Sequence, residues 1–168
     1  MPVKLPVPIE FRLPEGWLPA APPDGVDVPG VAFAAVHPHP DHGFTANITV
    51  AGEVRQESAP LTELADASAQ RLREAVERVV VTGRREVGSA EAPALAQRLT
   101  FSGVVGGTRH DLVQSQVFVA FSDVLNPLRR AVIQLVLTAT ADQHNEVLAD
   151  FQEFVRTVRP DTRAGVEQ

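Results

Sequence analysis

The stretch Phe44-Thr45-Ala46-Asn47-Ile48-Thr49-Val50 decides how this chain is read. Apolar Phe44, Ala46, Ile48 and Val50 alternate with polar Thr45, Asn47 and Thr49, the side-chain period of two that belongs to a strand. Such a strand buries one face and leaves the other polar, so it belongs to a sheet packed on one side here. Upstream, residues 31–36 form a second apolar run, linked to the first through residues 37–42 and Gly43 at hairpin length. Ten of the fourteen prolines fall in the first 40 residues, so this quarter cannot be helix. It supplies one brief strand at Ile9, Phe11 and Leu13, a turn at residues 14–17 and an irregular loop over 19–29. Trp17 reads as the anchor that holds this strap to the domain.

Downstream the period changes. Leu61, Leu64, Ser68, Leu72, Ala75, Val76 and Val79 share one face of a helix predicted over 61–79, with Ser58 as cap and Pro60 in the first turn. Glu74 and Arg78 would pair at i,i+4 on its outer face. Four strand-like runs follow at 79–82, 95–101, 112–121 and 131–139. Gly106-Gly107 and Asn126-Pro127 mark turns between them. Thr140 and Gln143 have capping-box spacing. They open a second helix over 142–158, with Val147, Leu148, Phe151, Phe154, Val155 and Val158 on its apolar face and Pro160 ending it.

Consecutive strands with short links give a mostly antiparallel sheet. The predicted class is α+β, with that sheet sandwiched by two long helices. The expected organisation is a proline-rich strap over 1–30, a single α+β domain over 7–159 and a disordered tail over 160–168.

Composition excludes several functions. The chain of 168 residues carries 15 basic and 21 acidic side chains, a net charge of −6, which argues against nucleic acid as a partner. It has no cysteine, hence no disulfide, thiol nucleophile or cysteine-ligated metal. The opening residues show no uninterrupted apolar run, and the longest apolar stretch, 131–141, falls short of a bilayer span. The expected location is the cytoplasm, without membrane insertion. Fourteen of the fifteen basic residues are arginine, a bias assigned to genomic base composition.

Two motifs resemble a known family. Phe11-Arg12-Leu13-Pro14-Glu15-Gly16-Trp17 resembles its apolar–x–Leu–Pro–x–Gly–Trp opening, and Phe44 to Val50 resembles its Phe–x–x–Asn–Ile–x–Val strand. A helix, a run of antiparallel strands and a C-terminal helix follow in the same order. Over roughly residues 7–159 the chain resembles the PsbP-like superfamily, which includes photosystem extrinsic subunits, a Ran-binding transport factor, LpqN-type lipoproteins and chaperones of secreted effectors. The resemblance implies an antiparallel sheet between helices, a protein partner and no enzyme. The chain departs from the LpqN-type branch in having no lipobox cysteine.

The segment His37-Pro38-His39-Pro40-Asp41-His42 matches the His-x-His-x-Asp-His signature of metallo-β-lactamases, and His37, His39, Asp41 and His42 are chemically suited to zinc. His110, with Asp111, and His144 are further candidate ligands. That superfamily, however, starts a helix after the motif, where this chain has an alternating strand. The prolines between the histidines also restrict the backbone. The preferred reading is a histidine-rich hairpin loop without metal or cofactor, and a small metal-dependent hydrolase on those four residues is the alternative. Gly103 to Gly107 lacks the Lys-Ser/Thr of a phosphate loop, and Ser115 has no triad partner visible in sequence.

If all the apolar strand faces point one way, the opposite side presents Thr45, Asn47, Thr49, Arg98, Thr100, Gln114, Gln116 and Gln134. Their hydroxyls, amides and guanidinium could pair with a partner's polar groups. The expected function is therefore a non-enzymatic protein-interaction or accessory module, chaperone-like, with a protein partner and with homodimerisation left open.

Overall fold

A computed structural model describes residues 9–20, 31–56, 60–90, 92–122 and 129–160. In chain order the elements are β1 (Ile9–Glu10), β2 (Leu18–Ala20), β3 (Val31–Val36), β4 (Asn47–Gln56), α1 (Leu61–Ala75), β5 (Glu77–Gly88), β6 (Pro93–Val105), β7 (Thr108–Ser122), β8 (Arg129–Thr140), α2 (His144–Thr157) and β9 (Arg159–Pro160). Seven strands form one antiparallel sheet in the order β2-β3-β4-β8-β7-β6-β5, and β1 pairs with β9 in a separate ribbon. The class is α+β with a mostly antiparallel sheet, as the residue pattern predicts.

The expected long helices are short. α1 has 15 residues and α2 has 14, while β5 to β8 each run for 12 to 15. α1 stops at Ala75 because Val76 is already extended, and the β-branched Val79, Val80 and Val81 favour a strand. Arg78 therefore lies in β5, at a left-handed φ of 58°, and no i,i+4 helical pair with Glu74 forms. Gly106 and Gly107 do make the predicted two-residue hairpin between Val105 and Thr108, both at positive φ (58° and 81°).

Register sets which residues share a face. Thr49, Val136, Gln116 and Gln97 lie opposite one another in one row across β4, β8, β7 and β6. Ile48, Leu137, Ser115 and Arg98 form the neighbouring row, on the other face. Leu64 and Ala65 of α1 pack on the first face, against Leu95, Phe118, Ala120 and Val132. Val147, Phe151 and Phe154 of α2 pack on the second, against Ile48, Val50, Ile133, Leu135 and Leu137. Each of those rings is fully buried, a contribution of roughly 1.5–3 kcal/mol apiece.

Phe44, Ala46, Ile48 and Val50 are all buried, as their alternation predicts. They do not share one core, however. The strand begins only at Asn47, and Phe44 packs with Phe101 and Leu112, while Ile48 and Val50 lie under α2. Trp17, the expected anchor, is buried and its Nε1 donates to Asp150 Oδ2 at 3.0 Å. Pro19 and Ala20 belong to β2 and Pro160 to β9, and the remainder of the expected 19–29 loop and of the 160–168 tail lies outside the described residues. So do Ser58 and the Asn126-Pro127 turn.

Candidate functional site

The eight polar residues singled out from the strand pattern do not form one face. Asn47, Thr49, Gln114, Gln116 and Gln134 lie on the α1 side, Arg98 and Thr100 lie on the α2 side, and Thr45 precedes the strand. Two of them are core residues: Gln116 is 2% exposed and Thr49 6%. The physical reason is register. Alternation fixes parity within each strand, but only pairing decides which parity of β6 stands beside which parity of β7.

Gln116 and Gln97 are bound internally. Gln116 Nε2 donates to Ser68 Oγ on α1 at 3.1 Å and to Gln114 Oε1 at 2.6 Å. Gln97 Nε2 donates to the Ala65 carbonyl at 3.1 Å and to Gln116 Oε1 at 2.8 Å. Arg84 Nη2 in turn donates to Gln97 Oε1 at 2.6 Å, and its Nη1 pairs with Asp66 at 2.8 Å. These amides tie α1 to the sheet. Gln134 lines a small cleft of about 170 Å³ beside Arg71 and Phe118, with its buried amide nitrogen unpaired.

The other face has an opening. β8 is buried on both faces, whereas on β6 the α1-side residues Leu95, Gln97 and Leu99 are buried and Ala96, Arg98 and Thr100 are not. α2 covers the centre of the sheet and, on its own side, leaves open the edge strand β5 and the middle of β6 from Ala96 to Thr100, while Ala94 and Ser102 at either end of β6 are buried. The result is a groove of about 790 Å³ between α2 and these strands, floored by Val87, Ala96, Val117, Leu148, Phe151 and Val155. Arg85, Arg98 and Arg156 line it, next to Arg84 of β5, and among the described residues no Asp or Glu does. The Arg84 guanidinium turns to Gln97 and Asp66 on the α1 side, and among the described residues Arg85, Arg98 and Arg156 make no ion pair. The volume lies within the range of ligand-binding clefts.

Beneath this groove Ser115 and His144 meet, a contact that the sequence reading missed. Ser115 Oγ lies 2.9 Å from His144 Nε2, and His144 is only 3% exposed. Burial, with the Arg98 charge second, pushes the imidazole down to about 4, so it is neutral at pH 7. Ser115 is thus a buried partner of α2. α2 starts at His144 with Gln143 as its N-cap and no side-chain cap, so the expected capping box does not form. Thr140 Oγ1 accepts the Gln143 backbone N–H at 3.1 Å in the turn ahead of the helix. The Gln143 side chain does not close the box, and its Nε2 donates to the His39 carbonyl at 3.0 Å.

The histidine loop is drawn in two directions. The His37 ring packs edge-on against Trp17, and its Nδ1 accepts the His39 backbone N–H at 3.1 Å. Asp41 accepts the Thr140 hydroxyl, and His42 Nε2 sits 3.7 Å from Asp41 Oδ1 and 3.8 Å from Asp142 Oδ2. Among the described residues the donors that converge are Asp41, His42 and Asp142, largely exposed, and neither His37 nor His39 joins them. His110 is buried against Phe44, and Asp111 accepts the Ser102 hydroxyl at 2.9 Å. The chemistry set of the hydrolase alternative is therefore not assembled.

No protein-family model matches the chain, and no curated protein matches it in sequence. Solved structures do match in fold. LpqN of Mycobacterium tuberculosis, described as involved in cell envelope biogenesis, superposes with a TM-score of 0.63 at 14% identity over 92% of this chain and 86% of its own. The Ran-binding protein Mog1p of Saccharomyces cerevisiae gives 0.58 at 16% identity over 92% of both chains. The cyanobacterial PsbP of Synechocystis gives 0.57 at 16% identity, covering 91% of this chain and 86% of its own. The chain has the PsbP-like fold that links these proteins.

Proposed function

We propose that the chain is a non-enzymatic protein-interaction module, an accessory and chaperone-like factor of the bacterial cytoplasm. The observation that carries this reading is the groove beside α2, which offers guanidinium groups and apolar atoms for recognition and no assembled catalytic set. Ser115 and His144 are buried, and among the described residues no carboxylate is hydrogen-bonded to that imidazole. Nucleophilic catalysis needs a base oriented by a third group. The fold neighbours support the same reading, since one is a Ran-binding protein and another takes part in cell envelope biogenesis. No described helix is long and apolar enough to cross a membrane.

The test is affinity capture from native lysate after brief chemical crosslinking, with cell fractionation alongside. The same protein recovered in every replicate is the expected result, and repeated failure to recover any overturns the reading. Zinc analysis of protein purified without an affinity tag addresses the hydrolase alternative. Far less than one equivalent is expected, and one equivalent lost on His42→Ala would promote that alternative.

A further inference from the structure

We propose that the groove between α2 and strands β6 and β5 seats an acidic amphipathic helix of a partner protein, its carboxylates held by Arg85, Arg98 and Arg156. This rests on the reading of the chain as a protein-interaction module and names the surface and the chemistry of its partner. The first ground is charge. A chain of net charge −6 places Arg85, Arg98 and Arg156 around one groove, and among the described residues no carboxylate lines it. Arg84, their neighbour on β5, turns away to Gln97 and Asp66 on the α1 side. The other three guanidinium groups repel one another until an external anion arrives, and guanidinium is the group best shaped to take a carboxylate through two parallel hydrogen bonds.

The second ground is shape. α2 is flanked on its far side by the N-terminal strap: Asp150, Phe154 and Thr157 meet Trp17, Phe11 and Arg12. On its near side Leu148, Gln152 and Arg156 face the groove with nothing of the described chain beyond them. The edge strand β5 and the open middle of β6, about 4.8 Å apart, leave a space about as wide as the roughly 10 Å of a helix. The floor of Val117, Phe151 and Val155 suits an apolar stripe, and the arginines on the walls suit carboxylates flanking it. The occupant is thus a second helix laid beside α2 on the same face.

Fluorescence anisotropy tests this with the full chain and a labelled amphipathic peptide of about 18 residues, five turns of helix, carrying a leucine stripe flanked by glutamates. A second peptide replaces every glutamate with lysine. The glutamate peptide is expected to bind at least tenfold more tightly than the lysine peptide, and more weakly as salt rises. Arg98→Glu with Arg156→Glu should weaken the glutamate peptide at least tenfold with an unchanged melting temperature. If that double variant melts early, Arg98→Gln with Arg156→Gln should still weaken binding severalfold. Equal binding of both peptides, or binding unaffected by a folded variant, overturns the proposal.

Binding to phosphatidylglycerol vesicles without binding to the peptide also overturns it. So does a dimer of the chain alone that the double variant disperses, because the groove would then hold a second copy. If crosslinking captures a partner that the double variant retains, the groove assignment fails while the interaction reading stands. If the wild-type chain captures none, the interaction reading itself fails.

Discussion

The two flanks of α2 are built from one amphipathic helix and end differently. On one, Phe154 stacks edge-on with Phe11 at 5.3 Å, Trp17 reaches Asp150, and the Arg12 backbone N–H donates to Thr157 Oγ1 at 2.9 Å. On the other, Leu148, Gln152 and Arg156 border the open groove. The proline-rich segment covers only one flank because it runs beside β3, at the far side of the sheet from β5. The difference separates two roles: the closed flank holds the fold together, and the open flank can change without unfolding it.

The largest expected effect lies on the closed flank. Phe154→Ala should cost about 3–5 kcal/mol, read as a shift of the denaturation midpoint, since the ring is fully buried. A cost below about 1 kcal/mol would mean the strap is not part of the core. Trp17→Phe keeps most of the apolar contact and removes the hydrogen bond to Asp150, and should cost about 1.5–3 kcal/mol.

Next comes His144, beneath the open flank. The unfolded imidazole takes a proton near pH 6.5, while the folded one, held at about 4, refuses it. Stability is therefore full above pH 6.5 and falls as pH drops from there towards 4, by up to about 1.4 kcal/mol per pH unit, the slope of one proton. His144→Gln should flatten that window in urea titrations at several pH values, and an unchanged slope would place the titration elsewhere. The smallest effect is expected at the groove itself. Arg85→Ser and Arg156→Ser should each change stability by no more than about 0.5 kcal/mol, and a loss above 1 kcal/mol would make the arginines structural.

Much of the fold was legible in single residues. The alternation through Ile48 and Val50, the Gly106-Gly107 hairpin and the Phe151/Phe154 stripe all report local geometry, and local geometry is what periodicity encodes. The end of α1 was misplaced because Val76 and Val79 continue a helical spacing while their β-branched side chains favour a strand. The candidate site was much less legible. Gln116 reads as a surface amide in sequence, and only the pairing with Val136 and Gln97 puts it under α1. Arg85, Arg98 and Arg156 are far apart in the chain, and the groove they share exists because β5 follows α1 to the sheet's outer edge. Ser115 and His144 lie 29 residues apart on a strand and a helix, with no spacing rule to join them.

The ribbon of β1 and β9 pairs Ile9 with Pro160 and Glu10 with Arg159. The two ends of the described chain therefore leave the domain side by side. A short peptide joining residues 9 and 160 would close the chain into a ring that could be reopened in a surface turn such as Gly106-Gly107, giving a circular permutant with the same core. Fluorophores placed on either side of this ribbon would report its opening as a loss of energy transfer. Under tension applied at the two ends, its few hydrogen bonds would unzip one after another before the seven-stranded sheet carried any load.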